Sequence, residues 1–277
     1  MSYSFIITMN KKLILQDLRA LVIPLSYWSL ILSFSFILMM LIYPSYIKYE
    51  NTLKIIFESY PKITLEALGI NLDTCFTPIG YYCLIFKYIS ILFAIMASSL
   101  GIKIIKQSDQ DQILYTMPLK RSTIITSKIT ALAIIIFIIN LIYELISIVV
   151  MMILTKADIL ILTKINLGLL LMQVNFACIT MMIASFIKNK RILNLTSYLC
   201  VLFFYILDQI QNITKLKFLR YINPFSLFKP SDILNNNHYT RGFFIASIFI
   251  IFYTINFCYI HNNELEMWGS YDLSYWI

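Results

Sequence analysis

The chain has 277 residues, of which 60% are hydrophobic and only 13% charged, against roughly half and a quarter in a soluble domain. That is too little charge to clothe a water-soluble body of this size, so the surplus apolar surface must face lipid. The net charge of +8 then belongs to loops on anionic headgroups, and no basic run or stacking platform on a polar surface supports nucleic-acid binding.

Residues 1–8 differ in character from the chain beyond them, and Met9-Asn10-Lys11-Lys12 serves equally well as a natural start. From Asn10 to Leu25 the apolar residues Ile14, Leu18, Leu21, Val22 and Leu25 recur at three and four, while Lys12, Gln16 and Arg19 line the other face. This pattern predicts a basic amphipathic helix lying in the membrane interface. The alternative is a plain N-terminal extension of the first span.

A membrane-spanning helix needs about 20 mainly apolar residues. The runs are 21–43, 80–102, 129–154, 165–187, 192–207 and 243–260, which predicts an all-α membrane protein with six transmembrane helices in one polytopic domain. The fifth run is short and ends at Asp208. The first is too long for the core of a cleavable signal peptide and lacks a small-residue cleavage site after it. In the loop after the first span, Leu53, Ile56, Phe57 and Tyr60 form one short helical pattern ended by Pro61, and residues 63–68, closed by Gly69, form another. Both are expected on the outer surface. The cysteines Cys75, Cys83, Cys178, Cys200 and Cys258 show no CxxC spacing and read as small buried residues, with a Cys75–Cys83 bridge as the alternative for that pair.

Ionisable groups inside spans are costly and need a reason. Lys87 lies in the second run on one face with Ser90, Ala94, Ser98 and Gly101, small residues that let helices approach closely. Asn140, Glu144 and Ser147 fall at i, i+4 and i+7 in the third run, a polar stripe that must turn toward protein or water. Two readings of Lys87 are open: its stem snorkels to the headgroups, or it pairs with Glu144. These four residues are the candidate intramembrane polar or pathway positions.

Between the second and third spans, Asp109, Asp111 and Gln112 are polar, while Ile113, Leu114, Tyr115 and Met117 are apolar and too few to span. A short helix here ends before Pro118. It leaves Leu114, Tyr115 and Met117 as an apolar knob between acidic residues and Arg121, suited to a groove on a partner with Tyr115 as anchor. The alternative is a loop on the headgroups held by Lys120 and Arg121.

No GxxxxGK[ST] loop, HExxH pair, His-rich site or GxSxG turn is present. No catalytic, cofactor-binding or metal-ligating residue is therefore assigned. The basic residues divide almost evenly between the two sides, but the Lys188-Asn189-Lys190-Arg191 turn and the segment 103–128 are basic, and the first outer loop carries Glu50, Glu58, Glu66 and Asp73. This favours an inside N-terminus.

Four patches carry a family resemblance. Met9-Asn10-Lys11-Lys12 leads into Leu18-Arg19. Tyr60-Pro61 precedes Glu66-Ala67-Leu68-Gly69-Ile70 and Thr77-Pro78-Ile79-Gly80-Tyr81. Gln112 to Arg121 includes Leu114-Tyr115-Thr116-Met117-Pro118-Leu119-Lys120, with Lys128 beyond it. Leu219 to Ser226 precedes Pro230-Ser231-Asp232-Ile233-Leu234. In order and spacing they resemble the amphipathic start, first outer loop, cytoplasmic turn and last outer segment of the type-two ABC exporter permeases. The sequence departs in one place, where Ser108-Asp109-Gln110-Asp111 stands for the family's usual Glu and Gly-Thr pair. The resemblance implies a multi-pass cell-membrane subunit with both termini cytoplasmic. It implies pairing with a second permease, as homodimer or heterodimer, and with separate ATPase subunits that hold ATP and Mg²⁺. The family's substrates include peptide antibiotics, lipids and ions. Two other readings stay open: a non-transporting immunity or sensor protein, and a lipid-modifying membrane enzyme.

Overall fold

The computed structural model describes residues 3–68, 70–108, 121–155, 158–187 and 189–236, with single helical positions at 245, 248, 250 and 253. Every regular element among the described residues is a helix: α1 (Tyr3–Leu41), α2 (Tyr43–Lys48), α3 (Glu50–Ser59), α4 (Lys62–Leu68), α5 (Pro78–Ser108), α6 (Arg121–Leu154), α7 (Ile159–Phe186), α8 (Lys190–Thr214), α9 (Lys217–Ile222), α10 (Pro224–Leu227) and α11 (Pro230–Asn236). Among the described residues, five segments are long and apolar enough to cross a membrane, built on α1 and α5 to α8. The sixth run, 243–260, lies almost wholly outside the described residues.

The separate interfacial helix is not what forms. Lys12, Gln16 and Arg19 are exposed, but they belong to one helix that continues through Pro24. The reason is the buried stripe. Leu13, Asp17, Leu21 and Pro24 lead at three- and four-residue steps through half-buried Trp28 into Leu32, Phe36, Met40 and Tyr43, so no point exists where the chain turns over. At 39 residues and 1.5 Å each, α1 is about 58 Å long, well beyond the roughly 30 Å hydrocarbon core. Val22, expected on the apolar face, is exposed.

The long helices pack pairwise, with α1 along α6, α5 along α7, and α5 also touching α1 and α8. Aromatic side chains lock three of them together. Phe36 of α1 meets Tyr82 of α5 edge-on at 5.8 Å and Tyr143 of α6 at 5.4 Å, and Phe93 meets Tyr143 at 4.9 Å. The α5–α7 seam uses small residues, since a Cβ on Gly101 would sit 3.3 Å from the Ala177 carbonyl oxygen.

The short helices gather at one end. Tyr60 is extended, as a residue before proline prefers, and this closes α3. Gly80 presses so closely on the turn before α5 that a Cβ would lie 1.8 Å from the Thr74 carbonyl oxygen. Cys75 and Cys83 remain thiols. Cys75 is tied into its own turn through Leu72 O at 3.7 Å, while Cys83 is carried away on α5. At the same end α4, α9 and α10 touch α8, and α11 touches α5 and α7, forming a cap. The turns between long helices are fixed by side-chain caps: Asp158 accepts from Leu160 N at 2.9 Å, and Asn189 from Arg191 N at 2.9 Å.

The fifth span does not end at Asp208. The α8 helix runs on to Thr214 and stops at Lys215 in the left-handed conformation, φ 55°. A buried carboxylate ends a span only when it must reach water, and Asp208 finds its partners inside the fold.

Candidate functional site

The predicted polar stripe on α6 faces α7. Asn140 and Gln173 form a reciprocal amide pair: Asn140 Nδ2 donates to Gln173 Oε1 at 2.7 Å, and Gln173 Nε2 donates to Asn140 Oδ1 at 2.9 Å. Glu144 accepts from Thr163 Oγ1 at 2.7 Å and from Asn166 Nδ2. The Asn166 amide also donates to Ser147 Oγ at 3.1 Å, and its oxygen accepts from the Tyr82 hydroxyl. Tyr82 and Tyr143 lie with their hydroxyls 3.4 Å apart. The stripe thus becomes a ladder of polar contacts joining α5, α6 and α7, in which each buried amide has a partner of opposite hydrogen-bonding sense.

Lys87 is not part of that ladder. The Glu144 carboxylate takes its hydrogen bonds from Thr163 and Asn166 of α7, and the Lys87–Glu144 pair is not what forms. The geometry explains this: Tyr82 points α5 at the ladder, and five residues later the helix has turned by about 140°. Lys87 instead lines a cavity of about 310 Å³ beneath the cap, with Met172 of α7, Tyr205, Asp208 and Asn212 of α8, and Phe225 and Lys229 from the cap. Lys87 is nine residues into α5, about 14 Å from its first residue.

The cavity's charges are held in place. Asp208 accepts from Ser226 Oγ at 2.7 Å and from Asn212 Nδ2 at 3.3 Å, and its carboxylate lies 3.7 Å from Lys229 Nζ. Lys229 Nζ donates to Gln211 Oε1 and Asn212 Oδ1. Burial pulls the Lys229 ammonium below its ordinary value, and Asp208 offsets part of that effect. Arg220 pairs with Asp232 and ties α9 to α11. Asn223 is fully buried; its Nδ2 donates to Phe204 O at 2.8 Å while its oxygen caps α10.

One side of this site, Lys87, was visible in the sequence, and the other was missed. Asp208, Gln211, Asn212 and Lys215 fall at i, i+3, i+4 and i+7, the same helical signature as the α6 stripe, but they follow a short apolar run whose end at Asp208 reads as the end of a span. Lys229 carried no local signal. Of the predicted docking positions, Asp109, Asp111, Leu114, Tyr115 and Met117 lie outside the described residues; Arg121 opens α6, and its side chain also lies outside them. No protein-family model, curated protein or solved structure matches the chain.

Proposed function

We infer that the chain is the permease subunit of an ATP-binding cassette exporter, forming a membrane pathway driven by separate ATPase subunits that carry ATP and Mg²⁺. The observation that carries this reading is the cavity in which Lys87, Asp208 and Lys229 lie against helices apolar enough to span. Membrane helices hold ionisable groups where a ligand or ion is handled. The four sequence patches support the family, and with it a second permease subunit, as homodimer or heterodimer, a cell-membrane location and cytoplasmic termini. The segment 106–121 is the element proposed to meet the ATPase. ATP binding would then bias two arrangements of the helices.

The test is co-purification. The chain, tagged and extracted in mild detergent, should bring down a P-loop ATPase in fixed stoichiometry. Changing Leu114 and Tyr115 to Asp should abolish that recovery while membrane insertion is unchanged. Full recovery with activity still coupled would remove this contact, and the exposed face with Lys12, Gln16 and Arg19 would take its place. Ligand binding with no ATPase at any stage would favour a non-transporting sensor or immunity protein, for which the cavity serves equally well.

A further inference from the structure

Serine hydroxyls inside membrane helices readily return to a carbonyl of their own helix, and most of the spanning serines here do so. Ser90 donates to Lys87 O at 2.8 Å, Ser99 to Met96 O at 2.8 Å, Ser127 to Ile124 O at 2.8 Å and Ser147 to Glu144 O at 2.9 Å. Two serines do not. Ser98 of α5 and Ser197 of α8 are buried, at 0% and 1% exposure, and neither hydroxyl finds a hydrogen-bond partner in the protein. The two stand at one level. The α5 helix begins at the cap end and α8 ends there, and Lys87 of one and Asp208 of the other line the same cavity. Ser98 lies eleven residues beyond Lys87, and Ser197 eleven before Asp208. In each helix that is about three full turns, or about 16 Å along the same face. The α1 helix marks the level independently: Trp28 Nε1 donates to Ser99 Oγ at 3.0 Å, and neighbouring Tyr27 stands close to Tyr198.

We propose that Ser98 and Ser197 form a hydrogen-bonding site for water, the inner station of a polar path that runs from the cavity along the α5–α8 seam and that this packing keeps shut. Between the cavity and the serines, the faces carry Ser90 and Ala94 on α5 and Val201 on α8, all buried. Small residues let two membrane helices close tightly and part again with little side-chain rearrangement. A buried hydroxyl with no partner has given up its water without return. The closed packing is therefore disfavoured at this level, and a water molecule entering between the helices restores the lost hydrogen bonds. Alanine at either position would fill the seam without that cost, so packing alone does not account for the two serines. Use of the seam by cargo rests on the permease reading; its uptake of water does not.

The test uses the full chain in lipid nanodiscs, its native cysteines replaced by alanine and single cysteines then introduced. The probe is a small quaternary-ammonium methanethiosulfonate, which is confined to water and attacks the thiolate, a form that needs water around it. Intact mass gives the extent of modification with time. Ser98→Cys and Ser197→Cys should both react, at least about tenfold faster than Ala97→Cys, a control equally buried on the adjoining face of α5. If Ser98→Cys fails to accumulate, Ala94→Cys, one turn nearer the cavity on the same face, decides in its place by the same criterion. In the double variant Ser98→Cys with Ser197→Cys, a short bifunctional methanethiosulfonate should bridge the two thiols within one chain. Two results each overturn the proposal: reaction at either serine position no faster than at Ala97→Cys, or two separate reagent molecules on the double variant with no bridge. No step uses an ATPase or a cargo. If the thiols react and no ATPase ever co-purifies, the hydrated seam stands and the transport reading falls; if the ATPase co-purifies and the thiols stay unreactive, the reverse holds.

Discussion

Buried Asp208 pairs with partly buried Lys229, and such a pair is costly to break from one side. Asp208→Ala would leave the Lys229 ammonium without its carboxylate and should destabilise the chain by about 3–5 kcal/mol, whereas Asp208→Ala with Lys229→Met should lose less than the sum of the singles; thermal unfolding in detergent measures both. The pH dependence has a definite sign. In Asp208→Asn the largest offset to burial is gone, so the native Lys229 falls further below its usual 10.5, a value the unfolded chain retains. The unfolded state then holds more protons below 10.5, and stability should rise as pH climbs through the window under that value. A flat profile in Asp208→Asn, unchanged by adding Lys229→Met, would show that Lys229 stays solvated. Glu144 sits in a different network, so the Lys87→Met and Glu144→Gln effects on stability should add within about 0.5 kcal/mol. Coupling well above that would mean the two charges meet in a state other than the one described. Lys87, Asn140, Glu144 and Ser147 were legible from the sequence as polar positions inside spans, because insertion cost makes such residues conspicuous, whereas Asn166, Gln173 and Asp208 were not singled out. Which of them meet was not legible, because five residues of helix rotation separate the ladder from the cavity.

At the level of elements, the long helices were legible because apolar runs of spanning length have few alternative fates. Their ends were not. The α8 helix outlasts its apolar run by satisfying Asp208 internally, and α1 outlasts its run because one buried stripe continues from Leu13 to Tyr43. The small-residue face of α5 was readable as a close-approach surface, and the structure makes it testable. Gly101→Ala places a methyl 3.3 Å from the Ala177 carbonyl oxygen and 3.5 Å from Thr180 Cβ, a contact that a few tenths of an ångström relieves. Gly101→Leu cannot be relieved so cheaply, and overpacking of this kind costs about 1–3 kcal/mol. The expected order of thermal midpoints is wild type, then Gly101→Ala close behind, then Gly101→Leu well below, with Thr180→Ala restoring part of the loss in the double variant. Tolerance of leucine would mean that α5 and α7 are not held at this separation. The amide pair tests the α6–α7 seam in the same way. Asn140→Leu alone should cost about 1–2 kcal/mol, and Asn140→Leu with Gln173→Leu less, since no polar group is then left unpaired.

For the whole molecule, the arrangement of caps and turns sorts residues onto two ends before any membrane is considered. The α3 and α4 helices, the segment 217–236 and the cavity mouth share one end; the last turns of α5 and α7 and the first turns of α6 and α8 share the other. Five described spanning segments carry the chain from the second end to the first. A sixth crossing by 243–260 would return it, so the far C-terminus reports the number of spans directly. Single cysteines introduced at Lys106 and Lys190 should react with an impermeant thiol reagent only after cells are opened, and cysteines at Glu58 and Asn236 should react in intact cells. Native Cys75 is buried and needs replacing by Ala first, so that labelling at Glu58 is read against a clean background. A tag placed after Ile277 should then behave like Lys106, protected in intact cells. Protection of Lys106 together with exposure of the tag would leave five crossings and a C-terminus on the cap side. Protection of Glu58 and exposure of Lys106 would invert the whole molecule and set the cavity mouth toward the cytoplasm, where an exporter would load its cargo and not release it.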